Sequence, residues 1–217
     1  MQNYVALFGG AFDPFHNGHQ YIINQLKLLN FKRIILVPTG VSAFNKNLTE
    51  AQHRINMINI ATKDVEISKY EVNQSSQINF TIETIKFYLK TYPQLALVIG
   101  EDCFYTFDKW KDWKEILELV KIIVIKRKSN IDEFFQTAKT KKIDVEDNFK
   151  KFQFRQSDCV YYHDGQGYEA SSSEIKKLIQ NQHIEDAHSL ASLEAASPSI
   201  LRRRLIPVHQ AVPSHVF

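Results

Sequence analysis

The chain has 217 residues, of which 44% are hydrophobic and 24% are charged, values that exclude an intrinsically disordered chain. Its formal net charge of +3 is too small to predict a nucleic-acid-binding surface. No apolar run approaches the roughly 20 residues that cross a bilayer, and the start Met-Gln-Asn-Tyr leads directly into an apolar run. We therefore expect a cytoplasmic protein without nucleic-acid or membrane partners.

Residues 1–217 are expected to form one domain, with a small C-terminal helical portion from about residue 170. The two isolated cysteines, Cys103 and Cys159, are expected to be free thiols.

The most informative segment is residues 9–19, Gly-Gly-Ala-Phe-Asp-Pro-Phe-His-Asn-Gly-His, which contains three of the chain's seven glycines. Glycine allows the backbone to approach a ligand closely. The pattern predicts a buried strand, a turn, and a helix that starts at Gly18 with Asn17 as its N-cap. His16 and His19 would then lie at a helix N-terminus, which favours a phosphate group, and both imidazoles can carry charge near neutral pH.

Apolar runs that predict strands alternate with segments of helical period. The strands are expected at residues 5–8, 33–37, 65–67, 95–99, 122–125 and 160–162. Helices are expected from about Thr49 with Ile55, Ile58 and Ile60 on one side, around Ile82, Ile85, Phe87 and Leu89, and around Trp113, Ile116, Leu117 and Val120. Residues 127–152 are expected to form a helix and a surface loop. This alternation predicts an α/β fold, a Rossmann-like doubly wound parallel sheet with helices on both faces.

Ligands of such sheets bind at the carboxyl ends of the strands, near the point where the strand order reverses. The residues expected there are Gly9-Gly10, Thr39, Gly100-Glu101-Asp102 and Lys126-Arg127. Asp13 is expected to fix its loop as a hydrogen-bond acceptor rather than to act as a base. No cluster of Cys, His or carboxylates with zinc-type spacing accompanies the two histidines, so we expect no structural metal.

Residues 9–19 resemble the HxGH motif of the nucleotidyltransferase superfamily, in the form found in small adenylyltransferases. The order of the later motifs is similar to that of the nicotinate-nucleotide adenylyltransferase family. The segments that carry this resemblance are Val37-Pro38, His53-Arg54-Ile55-Asn56-Met57, Asn79-Phe80-Thr81, Ile99-Gly100-Glu101-Asp102, Phe107-Asp108-Lys109-Trp110, Ser171-Ser172-Ser173-Glu174-Ile175-Lys176 and residues 212–217. The resemblance implies adenylyl transfer from ATP to nicotinate mononucleotide, giving deamido-NAD and pyrophosphate, with Mg²⁺ accompanying ATP. A homo-oligomer is compatible with it.

The resemblance also implies site residues. His19 would bind the ATP phosphates and His16 would stabilise the transition state. The implied ATP-binding residues are Gly9, Gly10, Phe12, Asp13, His16, Gly18, His19, Gly100, Asp102, Ser171, Ser172, Ser173 and Lys176. The implied acceptor-binding residues are Ala11, Lys46, Asn79, Phe80, Thr81 and Trp110. Asp102 would contact nucleotide hydroxyls and Trp110 would stack on the pyridine ring, whereas Trp113 is expected in the core.

Structural alternatives stand beside two of these assignments. Residues 171–176 can be a plain helix start, with Ser171 as N-cap and Glu174 completing a capping box. Lys46 can be a solvated loop lysine. A second candidate phosphate-binding element, residues 197–202, keeps an arginine but lacks a preceding strand, so we favour residues 171–176.

The sequence departs from the family pattern at several places. Asn79 and Phe80 replace a serine and a tyrosine, Ala11 stands where a serine or threonine is common, and residues 182–217 are unusual. Ser173 and Lys176 replace a threonine and an arginine, and lysine lacks the planar fork with which arginine binds phosphate. The loop 41–46 keeps only Lys46 of the usual Pro-Pro-His-Lys. These differences leave open another acceptor, such as nicotinamide mononucleotide or phosphopantetheine, and a non-catalytic nucleotide-binding relative.

Overall fold

The computed structural model describes residues 3–43, 47–74, 77–127, 131–146, 160–165 and 171–181. The strands are β1 (Val5–Gly10), β2 (Arg33–Pro38), β3 (Val41–Ser42), β4 (Glu66–Ile67), β5 (Ile78–Asn79), β6 (Leu95–Gly100), β7 (Lys121–Ile125), β8 (Val145–Glu146) and β9 (Val160–His163). The helices are α1 (Asn17–Leu28), α2 (Ala51–Ala61), α3 (Thr81–Leu89), α4 (Glu101–Phe104), α5 (Trp113–Leu119), α6 (Ile131–Thr140) and α7 (Ser172–Gln180), with a 3₁₀ helix at Phe107–Lys109. Within these ranges no helix is both long and apolar enough to span a bilayer.

Seven strands form one parallel sheet in the order β4-β2-β1-β6-β7-β9-β8. The chain first winds outward from β1 through β2 to β4 and then returns to β6 on the other side of β1. The strand order therefore reverses between β1 and β6, which is where a doubly wound sheet opens a crevice for ligands. The predicted fold class is confirmed.

Side chains of the central strands alternate between two hydrophobic clusters, as the period of two residues in a strand requires. Val5 and Leu7 of β1 pack on the face that α3, α5 and α6 cover. Ala6 and Phe8 pack on the opposite face, which is covered by α1 and α2. Both faces of the sheet are thus buried, which explains why its strands read as continuous apolar runs.

Several local expectations are wrong. Helix α1 begins at Asn17, and His16 rather than Asn17 occupies the N-cap position. Ile60, expected on the same side of its helix as Ile55 and Ile58, is 46% exposed, whereas those two residues are buried. The parallel pair β3–β5 and the edge strand β8 were not predicted, because elements of two residues are too short to show a period.

The loops that follow β1 and β2 are joined by the guanidinium of Arg54 on α2, a side chain only 2% exposed. Its Nη1 donates to the carbonyl oxygen of Ala11 at 2.8 Å, and its Nη2 donates to that of Thr39 at 2.7 Å. Its Nε donates to the carbonyl oxygen of Thr49 at 2.8 Å. Burial lowers the pKa of Arg54, while the nearby carboxylates of Asp13 and Glu71 oppose that shift. One buried cation therefore fixes the backbone of three loop segments beside the crevice.

We expect Arg54→Leu to lower the free energy of unfolding by about 3–5 kcal/mol, because buried carbonyls and a neighbouring carboxylate would lose their partner. Urea denaturation followed by circular dichroism measures the change. Arg33→Leu is the matched control: it removes an exposed ion pair with Glu66 and exposed contacts with Tyr92, each of which is expected to be worth about 1 kcal/mol or less. Equal losses in the two variants would contradict the anchoring role of Arg54.

Candidate active site

A cavity of about 760 Å³ opens at the carboxyl edge of the sheet. Of the residues expected at the site, Glu101 does not line the cavity, whereas Thr39, Lys126 and Arg127 do. The implied ATP- and acceptor-binding residues in the described ranges also line it: Gly9, Gly10, Ala11, Phe12, Asp13, His16, Gly18, His19, Asn79, Phe80, Thr81, Gly100, Asp102, Trp110, Ser171, Ser172, Ser173 and Lys176. Lys46, Cys159 and residues 197–202 lie outside the described residues. The structure thus brings together segments that are more than 150 residues apart in the chain.

The loop between β1 and α1 forms one wall of the cavity. A Cβ at Gly9 would meet no atom within 4 Å, so the bare backbone there faces open space. A Cβ at Gly10 would lie 3.1 Å from the ring of Phe12. Phe12 has a left-handed backbone (φ 48°), and its ring packs edge-on against Phe8 at 5.4 Å. The ring of Phe12 therefore packs against the loop at Gly10, and the paired rings of Phe8 and Phe12 hold the glycine backbone in place.

The rings of His16 and His19 stack on each other, with centroids 3.7 Å apart. The backbone N–H of His16 donates to Nδ1 of His19 at 3.1 Å. Because Nδ1 of His19 accepts this hydrogen bond, a neutral ring carries its proton on Nε2. The first turn of α1 thus fixes both the orientation and the tautomer of His19.

Both imidazoles have lowered pKa values and are neutral at pH 7 in the unliganded protein, although the sequence suggests that they can carry charge near neutral pH. Burial, together with the positive charge of Arg127, lowers the pKa of His16 to about 4. Burial, the adjacent His16 and Arg127 hold the pKa of His19 well below its usual value. Two stacked rings beside a guanidinium cannot both be protonated without strong repulsion.

Helix α7 docks onto the loop that precedes α1. Nζ of Lys176 lies 2.5 Å from Oδ2 of Asp13, a carboxylate that is 2% exposed. The hydroxyl of Ser172 donates to the carbonyl oxygen of Pro14 at 3.0 Å. Ser171 is the N-cap of α7, since its Oγ accepts from the backbone N–H of Glu174 at 3.1 Å. Two of the three serines therefore have structural tasks, and Ser171 occupies the N-cap position that the structural alternative expects.

Asp13 fixes its loop, as the sequence predicts. Its Oδ2 also accepts a hydrogen bond from the backbone N–H of Thr49 at 3.0 Å. Its Oδ1 is buried and has no hydrogen-bond partner among the described residues. A buried carboxylate with one unsatisfied oxygen depends strongly on the ammonium of Lys176.

The opposite wall is built around Glu101, which is 1% exposed. One carboxylate oxygen accepts from the hydroxyl of Tyr162 at 3.0 Å, and the other accepts from the backbone N–H of Arg127 at 3.1 Å. Nη1 of Arg127 then lies 2.7 Å from Oδ2 of Asp102. The sequence places these residues at strand ends, but it does not show that a buried carboxylate holds Arg127.

The far end of the cavity is formed by the start of α3 and by Trp110. Phe80 is the N-cap of α3 and Thr81 its first residue. Oδ1 of Asn79 accepts from the backbone N–H of Val41 at 3.0 Å and so fixes the neighbouring loop. Trp110 is partly buried, and its Nε1 is a buried donor with no partner within the described part of the chain.

The turn that carries Trp110 is held by an ion pair between Asp108 and Lys141, which directly follows α6. Trp113, which was expected in the core, packs against the core but remains partly exposed, and it does not line the cavity. The lining residues that sequence reasoning did not assign to the site include Glu71, Thr84, Lys109 and Lys111. Glu71 accepts a hydrogen bond from Thr84 at 2.7 Å, and burial raises its pKa.

Known proteins are similar to this chain in sequence and in fold. The probable nicotinate-nucleotide adenylyltransferase of Aquifex aeolicus is 32% identical over 177 residues, which cover 77% of this chain and 98% of that protein. The protein of the same name from Clostridium tetani is 34% identical, over 83% of this chain and 90% of its own length. The structure of Plasmodium falciparum nicotinic acid mononucleotide adenylyltransferase complexed with NaAD has the same fold, with a TM-score of 0.70, 18% identity, and coverage of 93% of this chain and 95% of that one. Residues 7–178 match the cytidylyltransferase-like family, and the chain belongs to that family.

Proposed function

We propose that this protein is a nicotinate-nucleotide adenylyltransferase that transfers AMP from ATP to nicotinate mononucleotide and releases pyrophosphate. The observation that carries the proposal is the pair of stacked neutral imidazoles beside bare glycine backbone at the start of α1. Relatives that cover most of the chain carry the same activity in their names, which supports the proposal. The chain is expected to act as a single catalytic unit in the cytoplasm.

The reaction needs no covalent enzyme intermediate. A phosphate oxygen of nicotinate mononucleotide attacks the α-phosphorus of ATP, and the bond from that phosphorus to the bridging oxygen of pyrophosphate breaks. The protein contributes by aligning the two phosphates and by stabilising charge on the transferred group. Neutral His16 and His19 are suited to donate hydrogen bonds to phosphate oxygens at a helix N-terminus.

The cations of the site are held by carboxylates in the unliganded protein. Lys176 pairs with Asp13, and Arg127 pairs with Asp102. We infer that the triphosphate of ATP takes up contacts with both cations, while Asp102 becomes available to nucleotide hydroxyls. Since the hydroxyls of Ser171 and Ser172 are already engaged, Ser173 and the backbone N–H groups of α7 are the better candidates for phosphate contacts.

Mg²⁺ enters this proposal as part of the substrate MgATP. No group of three or more His, Cys, Asp or Glu side chains in the described ranges is arranged to hold a metal ion. Mg²⁺ bound through phosphate oxygens and water needs only one or two protein carboxylates. The candidate carboxylates are Asp13, in the wall formed by the loop between β1 and α1, and Asp102, in the wall built around Glu101.

We expect His16→Ala to lower kcat/KM by about 10²- to 10⁴-fold, the range for removing a group that stabilises charge in a transition state. Release of pyrophosphate with ATP and nicotinate mononucleotide measures the effect. Gln20→Ala, which changes an exposed pair on the same helix, is the matched control. Full turnover by His16→Ala would reject the assigned mechanism.

Trp110→Ala is expected to raise the KM for nicotinate mononucleotide about three- to tenfold, because an aromatic stacking contact is worth about 0.5–1.5 kcal/mol. The KM for ATP should change much less. Trp113→Ala removes an equally large ring that does not line the cavity and controls for a loss of packing. An unchanged acceptor KM in Trp110→Ala would exclude stacking.

ATP binding is expected to be accompanied by proton uptake in mildly acidic solution. Free His16 has a pKa of about 4, and a bound polyanion must raise that pKa, so the complex holds more protons than the free protein. The affinity for ATP should therefore increase as the pH falls from about 6.5 towards the pKa of His16 in the free protein, because the protonated imidazole attracts the polyanion.

Titration calorimetry in two buffers of different ionisation enthalpy measures the number of protons taken up. Protonation of ATP itself contributes equally in wild type and in His16→Asn, so the difference between the two proteins isolates the imidazole. Equal proton uptake in both would show that His16 does not contact the phosphates.

A further inference from the structure

A buried carboxylate lies where the neighbouring strands β6 and β7 end. Glu101 directly follows β6, opens the short helix α4 and is 1% exposed. Its Oε1 accepts from the hydroxyl of Tyr162 on β9 at 3.0 Å, and the hydroxyl of Tyr105 lies 3.4 Å from the same oxygen. Its Oε2 accepts from the backbone N–H of Arg127 at 3.1 Å. Both oxygens are therefore engaged by the protein itself, and Glu101 does not line the cavity.

The hydrogen bond from Arg127 continues the pattern of the sheet by means of a side chain. Successive N–H groups of a parallel strand point to opposite neighbours. The N–H of Lys126 donates to the carbonyl oxygen of His163 on β9 at 3.1 Å, so the N–H of Arg127 points to the side of β6. Strand β6 has already ended there, at Gly100. Because a partly buried N–H without an acceptor is unfavourable, the carboxylate of Glu101 supplies the acceptor that β6 no longer offers.

The side chain of Arg127 extends from this point over the end of β6 towards the two histidines. A Cβ added at Gly100 would lie 3.8 Å from Cδ of Arg127, so the stem of the arginine passes over bare backbone. Nη1 of Arg127 lies 2.7 Å from Oδ2 of Asp102. The guanidinium is also close enough to His16 and His19 to lower the pKa of each. The backbone position of residue 127 thus determines where this cation meets an anionic ligand.

We propose that Glu101 is a positioning residue for MgATP: by accepting the hydrogen bond from the backbone of Arg127, it holds the guanidinium where the triphosphate binds. The inference rests on the proposed function, in which Arg127 contacts the triphosphate, and it adds a residue that contacts no substrate.

The sign of the effect separates positioning from simple electrostatics. Glu101 is an anion close to the proposed path of a polyanion, so loss of its charge alone would strengthen the binding of ATP. Loss of the acceptor for Arg127 would instead allow the segment after β7 to move, and the guanidinium would no longer be prepared for a phosphate contact. Removal of Glu101 should therefore weaken the binding of MgATP if positioning is its role.

The test compares Glu101→Leu with Glu101→Gln. Both variants lose the charge and keep a similar side-chain volume. Only glutamine retains an oxygen that can accept from the N–H of Arg127, while its NH₂ group can donate to the hydroxyl oxygen of Tyr162. Titration calorimetry measures the Kd for MgATP in each protein, and thermal unfolding checks that each variant is folded.

Tyr162→Phe is the matched control. It removes another partner of the same buried carboxylate, and it retains a ring that can stack on Phe134. It leaves the hydrogen bond between Glu101 and the backbone of Arg127 in place. A general disturbance of the buried hydrogen bonds would therefore affect Tyr162→Phe as well, whereas loss of positioning would not.

In Glu101→Leu, the Kd for MgATP should rise about tenfold, as the loss of one charge-assisted contact implies. The rise should stay below about threefold in Glu101→Gln and below about twofold in Tyr162→Phe, because both keep an acceptor for Arg127.

A double-mutant cycle shows whether Glu101 acts through Arg127. Arg127→Ala alone should raise the Kd about tenfold, since it removes the cation itself. In the Arg127→Ala background, Glu101→Leu should change the Kd by less than about twofold, because the side chain that it positions is absent. Arg127→Ala changes a partly exposed side chain, so it remains informative if Glu101→Leu does not fold.

An unchanged or lower Kd in Glu101→Leu would overturn the inference, and so would an equal rise in Glu101→Gln or in Tyr162→Phe. An unchanged Kd in Arg127→Ala would also overturn it, as would a full effect of Glu101→Leu in the Arg127→Ala background. Failure of the proposed function alone looks different: wild-type protein would bind MgATP and show these effects on the Kd, yet release no pyrophosphate with nicotinate mononucleotide. Absence of MgATP binding by wild type would overturn both.

Discussion

The packing of the loop between β1 and α1 is the constraint on which the rest of the site depends. Its backbone must stay open towards a ligand, so it cannot be stabilised by side chains on its cavity side. Three contacts hold the loop instead. The ring of Phe12 packs against it at Gly10, and Arg54 donates a hydrogen bond to the carbonyl oxygen of Ala11. Helix α7 contacts the carboxylate of Asp13 and the carbonyl oxygen of Pro14. Because the loop is already ordered, ligand binding does not lose free energy to ordering it.

The electrostatics of the site follow from the same packing. His16 and His19 are kept neutral by burial and by Arg127, so they do not repel the cations that an anionic ligand needs. Those cations are paired with carboxylates in the unliganded state, which keeps the cavity close to electrical balance. A triphosphate would compete with these carboxylates for contacts with Lys176 and Arg127, whose positions at the site are already set by the fold.

The sequence was sufficient to predict the sheet and most of the site, because both depend on local patterns. The long strands are continuous apolar runs, and residues 9–19 combine glycines, a proline and two histidines at fixed spacing. What the sequence could not show depends on tertiary contacts. Glu101 reads as part of a strand-end motif, yet it is buried against Tyr162 some 60 positions away. The lowered pKa of His16 could likewise not be predicted, because burial and the proximity of Arg127 appear only in the folded chain.

Lys176 shows why a departure from a family motif need not abolish its role. A lysine lacks the planar fork that lets arginine bind a carboxylate and a phosphate at once. Its ammonium has three N–H donors, however, and only one is needed for the contact with Oδ2 of Asp13. Removing Lys176 from Asp13 would leave a buried carboxylate with the backbone N–H of Thr49 as its remaining partner among the described groups, which is unfavourable. We therefore propose that the ammonium bridges Asp13 and a phosphate oxygen, which would keep α7 docked while the nucleotide binds.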